Sequence, residues 1–152
     1  MSSLLGRLLS PDGAGFALLT VPDLDALVHA RDEVLVDVEL LTPDRLVQYL
    51  SRTITTPFLE ALATMYLAAA QEQHPELAVP TVQDEQGGVA VLVLESTDYD
   101  VTFEVMVIPD LEADVPEHDT IAFDVPRVTL VAAAHDLQRW LEDTTRGTGW
   151  AR

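Results

Sequence analysis

Asp110, Glu112 and Asp114 stand two residues apart, a spacing at which side chains of one loop can turn toward a single cation. A calcium loop of that kind also needs a central Gly and a closing Glu at its twelfth position, and both are missing. Asp98-Tyr99-Asp100 and Asp23-Leu24-Asp25 are further pairs of alternate carboxylates. Both fall at turns, where Asp serves its own backbone, and the turn reading is preferred. His29, His74, His118 and His135 are far apart, and none has the H-E-x-x-H spacing of a zinc helix. Gly13-Ala14-Gly15 follows a turn and lacks the third Gly of a dinucleotide loop. There is no Walker loop and no G-x-S-x-G elbow, and no Ser has a nucleophile context. The absence of Cys removes thiolate chemistry and disulfides. The sequence therefore names no catalytic residue, no metal ligand and no cofactor.

The stretch Asp110 to Asp119 remains the most suggestive element. It carries Asp110, Glu112, Asp114, Glu117 and Asp119 with no Arg, and Leu111 and Val115 are interleaved as apolar anchors. These five carboxylates, with Asp98 and Asp100, are the candidate partner-binding residues. The alternative is a solvated loop that blunts a sheet edge by charge.

Charge is the extreme feature of the composition. Eight basic residues, all Arg, face 26 acidic ones, for a net charge of −18. Such a chain repels phosphate, so a nucleic-acid or anionic-membrane role is not expected. A basic protein partner would be attracted and steered in. Acidity that serves only solubility fits the same numbers.

The length of 152 residues suits one domain with a real core, and 48% hydrophobic residues make that core largely aliphatic. A single domain over 1–152 is expected, with an N-terminal arm over 1–15 and a flexible tail over 144–152. The apolar start Met1 to Leu9 is too short to span a bilayer and lacks the features of a signal peptide. A cytoplasmic protein is expected.

The elements that must position these residues follow from periodicity. Leu4, Leu5, Leu8 and Leu9 have helical spacing, closed by the turn Ser10-Pro11-Asp12-Gly13. Phe16 to Val21 reads as a strand, and Leu24 to Arg31 fits helix or strand. Val34 to Leu41 alternates as a half-buried strand. Thr42-Pro43-Asp44 predicts a helix start, with Leu46, Val47 and Leu50 as its stripe. Thr56-Pro57 opens another helix to about Gln73. Residues 75–88 read as a loop. Val89 to Leu94 and Tyr99 to Ile108 form an antiparallel hairpin. Thr120 to Val125 adds a strand, and Pro126 opens a helix to about Glu142. No internal repeat is visible. The sum is an α+β fold: an antiparallel sheet of about five strands with two or three helices packed on one face.

That order, with T-P-D-R-L-V-Q-Y-L, the hairpin V-A-V-L-V-L-E … V-T-F-E-V and the closing I-A-F-D-V-P-R-V-T-L-V-A-A-A-H-D-L-Q-R-W-L, resembles the small WapI-type immunity proteins of bacterial polymorphic toxin systems. The likeness covers roughly residues 30–142 and rests on element order, so no family residue maps onto a position here. It implies a non-catalytic protein that binds and blocks a basic toxin. The alternative expectation is an assembly or chaperone-like adaptor subunit of a secretion, phage-like or storage complex. Oligomeric state is left open.

Overall fold

The computed structural model describes residues 4–20, 33–71, 81–115 and 117–150, with side chains of the last helix to 143. Among the described residues, eight strands and two helices follow in order: β1 (Leu4–Leu9), β2 (Gly15–Thr20), β3 (Glu33–Leu41), β4 (Leu46–Thr55), α1 (Thr56–Gln71), β5 (Thr81–Asp84), β6 (Val89–Ser96), β7 (Asp100–Val107), β8 (Asp119–Pro126) and α2 (Leu130–Trp150). A short 3₁₀ turn, Arg127–Thr129, leads into α2. The strands form two four-stranded antiparallel sheets, β1-β2-β3-β4 and β5-β6-β7-β8. The fold is α+β, with two sheets where the sequence predicts one of about five strands.

Alternation decides which face of each sheet is buried. On β3, Val34, Val36, Val38 and Leu40 are buried while Leu35, Asp37 and Glu39 turn outward. On β7, Val101, Phe103, Val105 and Val107 are buried, and Thr102, Glu104 and Met106 face away. The inner faces join Leu59, Leu62, Met65 and Tyr66 of α1 and Leu130, Ala134 and Leu137 of α2 in one core. Each buried Leu or Val stabilises by about 1.5–3 kcal/mol, so this shared core holds both sheets in one unit. No helix among the described residues is long and apolar enough to cross a membrane.

Two segments expected as helices are strands, for one physical reason. In β1 the register shifts between Leu5 and Leu8, so Leu5 and Leu8 point inward while Leu4 and Leu9 point outward. A bulge flips the phase of alternation. Paired leucines four apart then imitate a helix stripe. In β4 a bulge between the partners of Val36 and Val38 does the same, leaving Tyr49, Arg52 and Ile54 buried. Ser51 takes φ 56° there, and its N–H donates to Asp37 Oδ1 at 2.8 Å. Thr42-Pro43-Asp44 closes a hairpin instead of capping a helix: Thr42 N–H donates to Arg45 O at 2.8 Å and Arg45 N–H to Thr42 O at 3.3 Å. Pro and Asp favour tight turns as readily as helix starts.

Two further expectations are corrected, and a third is not reached by the described residues. Part of the loop over 75–88 is strand β5, paired with β6 from Thr81↔Leu92 to Asp84↔Val89. The helix expected from Pro126 begins at Leu130, after the 3₁₀ turn, and runs to Trp150, through the segment expected as a tail. The ambiguous Leu24 to Arg31 lies outside the described residues.

The chain also repeats itself. Among the described residues, each half has four antiparallel strands in sequence order followed by a helix. The pairings correspond up to a bulge that only the first sheet has: Val34↔Ile54 and Val36↔Arg52 match Val101↔Val125 and Phe103↔Phe123, and beyond the bulge Val38↔Tyr49 takes the place of Val105↔Ile121. Glu33-Val-Leu-Val-Asp-Val thus stands over Asp100-Val-Thr-Phe-Glu-Val. The helices are exchanged between halves. α1, which follows the first sheet, packs along β5 of the second, and α2 packs along β1 of the first, with the two helices against each other. This exchange explains why two sheets share a single core.

Candidate protein-binding surface

The outer face of the second sheet is assembled by parity. Asp100, Thr102 and Glu104 alternate with the buried Val101, Phe103 and Val105 on β7. Across the ladder, Thr102 faces Glu95 on one side and Asp124 on the other. Residues directly opposite on one face have Cβ atoms about 4.5–5.5 Å apart, so Glu95, Asp100, Glu104 and Asp124 surround Thr102 at close quarters. Thr102 Oγ1 donates to Asp124 Oδ1 at 2.5 Å. Among the described residues, no Arg or His occupies an outward position of this sheet. Like charges gathered this way destabilise a sheet slightly, so they do not serve the fold.

The turn between β6 and β7 extends this patch. Thr97 Oγ1 accepts from Tyr99 N–H at 3.3 Å and Asp100 N–H at 3.0 Å, and Thr97 N–H donates to Asp100 O at 2.8 Å. The turn lifts Asp98 and Tyr99 into solvent, with Tyr99 82% exposed. Arg127 braces it from behind, donating to Ser96 Oγ, Thr97 O and Ala69 O. Those bonds tie the end of α1 to the turn.

The candidate residues divide into two groups. Asp98 and Asp100 join the patch around Thr102. Asp110, Glu112, Asp114 and Glu117 lie in the loop between β7 and β8, at the opposite end of the sheet. The eight residues of β7 separate the groups, a span of roughly 25 Å at about 3.3 Å per residue. Asp110 Oδ1 accepts from Glu112 N–H at 3.0 Å, holding the local turn. Leu111 packs onto Gly88, while Val115 is 82% exposed. The sequence overlooks Glu95, Glu104 and Asp124 as site residues. Strand parity was the available signal for Glu104 and Asp124, each an acid between inward-facing apolar neighbours, whereas Glu95 follows a bulge that breaks parity.

Asp119 takes part in a structural seam. Its Oδ2 accepts from the Tyr49 hydroxyl at 2.5 Å, linking β4 to β8. Burial, then this carboxylate, push the Tyr49 phenol above its usual pKa. Arg52 lies over the Tyr49 ring at 5.5 Å and is 7% exposed. It donates to Gly87 O at 3.0 Å and Pro109 O at 2.9 Å. Desolvation lowers its pKa. Gly88, at φ +67°, admits this side chain, since a Cβ there would lie 3.0 Å from Arg52 Nη1 and 2.5 Å from Leu111 Cδ2.

A cleft of ≈ 420 Å³ opens beside the start of α1, lined by Phe58, Ala61, Val82 and Asp84. The Asp84 carboxylate is saturated by Thr55 N–H at 2.8 Å, Thr55 Oγ1 at 3.0 Å and Gly87 N–H at 2.8 Å. It cross-links the two halves and offers nothing to a ligand. Among the described residues, no three His, Asp or Glu side chains gather in a way that could hold a metal. Compared with protein families, curated proteins and solved structures, the chain matches none.

Proposed function

We propose that this chain is a non-catalytic, cytoplasmic protein-binding domain with a basic protein partner, and that its role is that of an immunity-type inhibitor which neutralises a basic toxin. The observation that carries the reading is the carboxylate patch around Thr102, set beside the exposed Tyr99. An aromatic anchor next to unpaired charge is a common recognition arrangement, because the ring supplies contact area and the charges supply steering. Nucleic acid and anionic membranes are repelled by the same field. A partner fitted to this face presents Arg or Lys around an apolar pocket for the Tyr99 ring.

Capture of the tagged protein from its native host tests the reading. A basic toxin domain should be retained, and its affinity should fall as salt rises. Glu104→Lys with Asp124→Lys should weaken that complex by at least about tenfold, since like-charge contacts at an interface cost several kcal/mol. Stability should fall by about 1 kcal/mol or less, since both acids lie on the outer face and the Thr102 bond to Asp124 is lost. Recovery of the protein alone, or of a partner indifferent to both salt and the two substitutions, would sink the reading.

A further inference from the structure

The outer face of the first sheet carries a leucine-lined groove beside the outward acids Asp37 and Glu39. Leu4, Leu9, Leu41 and Leu46, with Arg7 and Glu39, line a groove of ≈ 180 Å³ across β1 to β4. Leu4 is 46% exposed, Leu9 40% and Leu46 50%, so these side chains are only half covered by their own chain. The internal repeat shows that the fold does not require a leucine at the first of them, Leu4. Leu4 opposite Leu19 matches Thr81 opposite Leu92, and Leu35 opposite Thr53 matches Thr102 opposite Asp124. The same architecture tolerates Thr where the first half holds Leu. Adjoining exposed leucines rimmed by polar groups mark an interaction surface.

The charge of the groove selects the occupant. Among the described residues, Arg7 and Glu39 are the charged ones that line it, so that lining is neutral in a chain of net charge −18. A basic partner gains no attraction from a neutral groove. Two copies of this chain repel across almost any other face, and meet at least cost here. One residue of each sign also suits a twofold axis, which brings Arg7 of each copy to Glu39 of the other. Glu39 is pre-set for this, because Gln48 Nε2 donates to its Oε2 at 2.6 Å. We infer that the outer face of the first sheet is a homodimer interface, with its leucines packed against those of a second copy and Arg7 paired with Glu39 across the axis.

The inference stands apart from the basic-partner reading, and salt separates the two. Binding of a basic partner weakens as salt rises. The dimer strengthens, because screening removes the repulsion between two strongly acidic chains while the apolar contact remains. Sedimentation velocity on the full chain, up to about 1 mM protein to reach weak association, should show a reversible dimer. Its Kd should fall at least about tenfold between about 0.05 and about 1 M NaCl. Leu9→Asp with Leu46→Asp should leave a monomer with unchanged circular dichroism. Arg7→Glu and Glu39→Arg should each weaken the dimer, and the double swap should restore it. A monomer under all these conditions, or a dimer indifferent to the two leucine substitutions, overturns the interface. A double swap no better than its single parents overturns the twofold pairing. If the leucine variant unfolds, the two charge swaps on the exposed rim decide the matter alone.

Discussion

The Tyr49 hydroxyl donates to the Asp119 carboxylate at 2.5 Å, joining a bulged strand of the first sheet to the opening residue of β8 in the second. The two positions are 70 residues apart in sequence, and their bond closes one end of the seam between the repeats. Asp119 therefore differs from the other acids of its stretch: although exposed, its carboxylate accepts a hydrogen bond from the other sheet. Asp119→Ala should destabilise by about 1–2 kcal/mol, because it leaves a half-buried phenol unsatisfied. Tyr49→Phe should cost about 1 kcal/mol, since the exposed carboxylate can turn to water. Urea denaturation of both variants checks this. A loss from Asp119→Ala no larger than from Asp114→Ala would contradict the assignment.

Alkaline pH should loosen the same seam. Burial and the Asp119 carboxylate raise the Tyr49 pKa, and burial raises that of Tyr66 well above its ordinary value. For a group whose folded pKa is raised, the stabilising contribution is fully present below the unfolded value, about 10 for a phenol. It is lost as pH climbs through the folded value. Stability should be insensitive to these two groups below about pH 10 and fall above it. Thermal melts against pH provide the measurement. Tyr66→Phe should flatten the alkaline fall.

Arg52 carries its charge into the seam without a carboxylate opposite either of its described bonds. Both go to main-chain carbonyls, of Gly87 and Pro109. Arg52→Ala removes the two bonds and leaves both carbonyls under-satisfied, so a loss of about 3 kcal/mol is expected. Arg52→Lys should recover less than half of it, since an ammonium cannot reproduce the planar fork that spans two acceptors. Arg52→Met should be milder than Ala, because it keeps the packing over Tyr49 and removes the desolvated charge. Chemical denaturation of the three variants gives the ranking, and an Arg52→Lys protein of full stability would refute it.

Strands with clean alternation were legible: β3, β7 and β8 follow from period-two burial, and β6 from a run apolar on both faces. The helix α1 was legible from Thr56-Pro57 and its stripe. β1 and β4 were not, because a bulge in each converts alternation into spacing that mimics a helix. Bulges are set by local geometry such as the positive φ of Gly6 and Ser51, which composition does not announce. The repeat was hidden because corresponding residues keep only their apolar parity; Arg52 stands where Phe123 does, and Tyr49 where Ile121 does. The acidic patch was half legible. Asp98 and Asp100 stood out as neighbours in sequence, whereas Glu95, Glu104 and Asp124 become neighbours only through strand register. The dense run from Asp110 drew the eye for the opposite reason, since proximity in sequence there does not place it beside the patch around Thr102.

The exchange of helices between the repeats makes a last prediction about cooperativity. Tyr66 of α1 meets Phe103 of β7 edge-on, with ring centroids 5.8 Å apart and planes at 78°. Its hydroxyl donates to Gly6 O at 2.7 Å, at the bulge of β1. One side chain thus touches both sheets, and the halves should unfold together. Phe103→Leu should cost about 1–3 kcal/mol through lost volume and contact, a range between a conservative swap and full truncation. In a double-mutant cycle with Tyr66→Leu, the ring contact should appear as a coupling of about 0.5–1.5 kcal/mol. Both single variants should keep one transition, with fluorescence and circular dichroism coincident. Two separate transitions, or additive losses, would mean that the sheets are independent units and that Tyr66 does not join them.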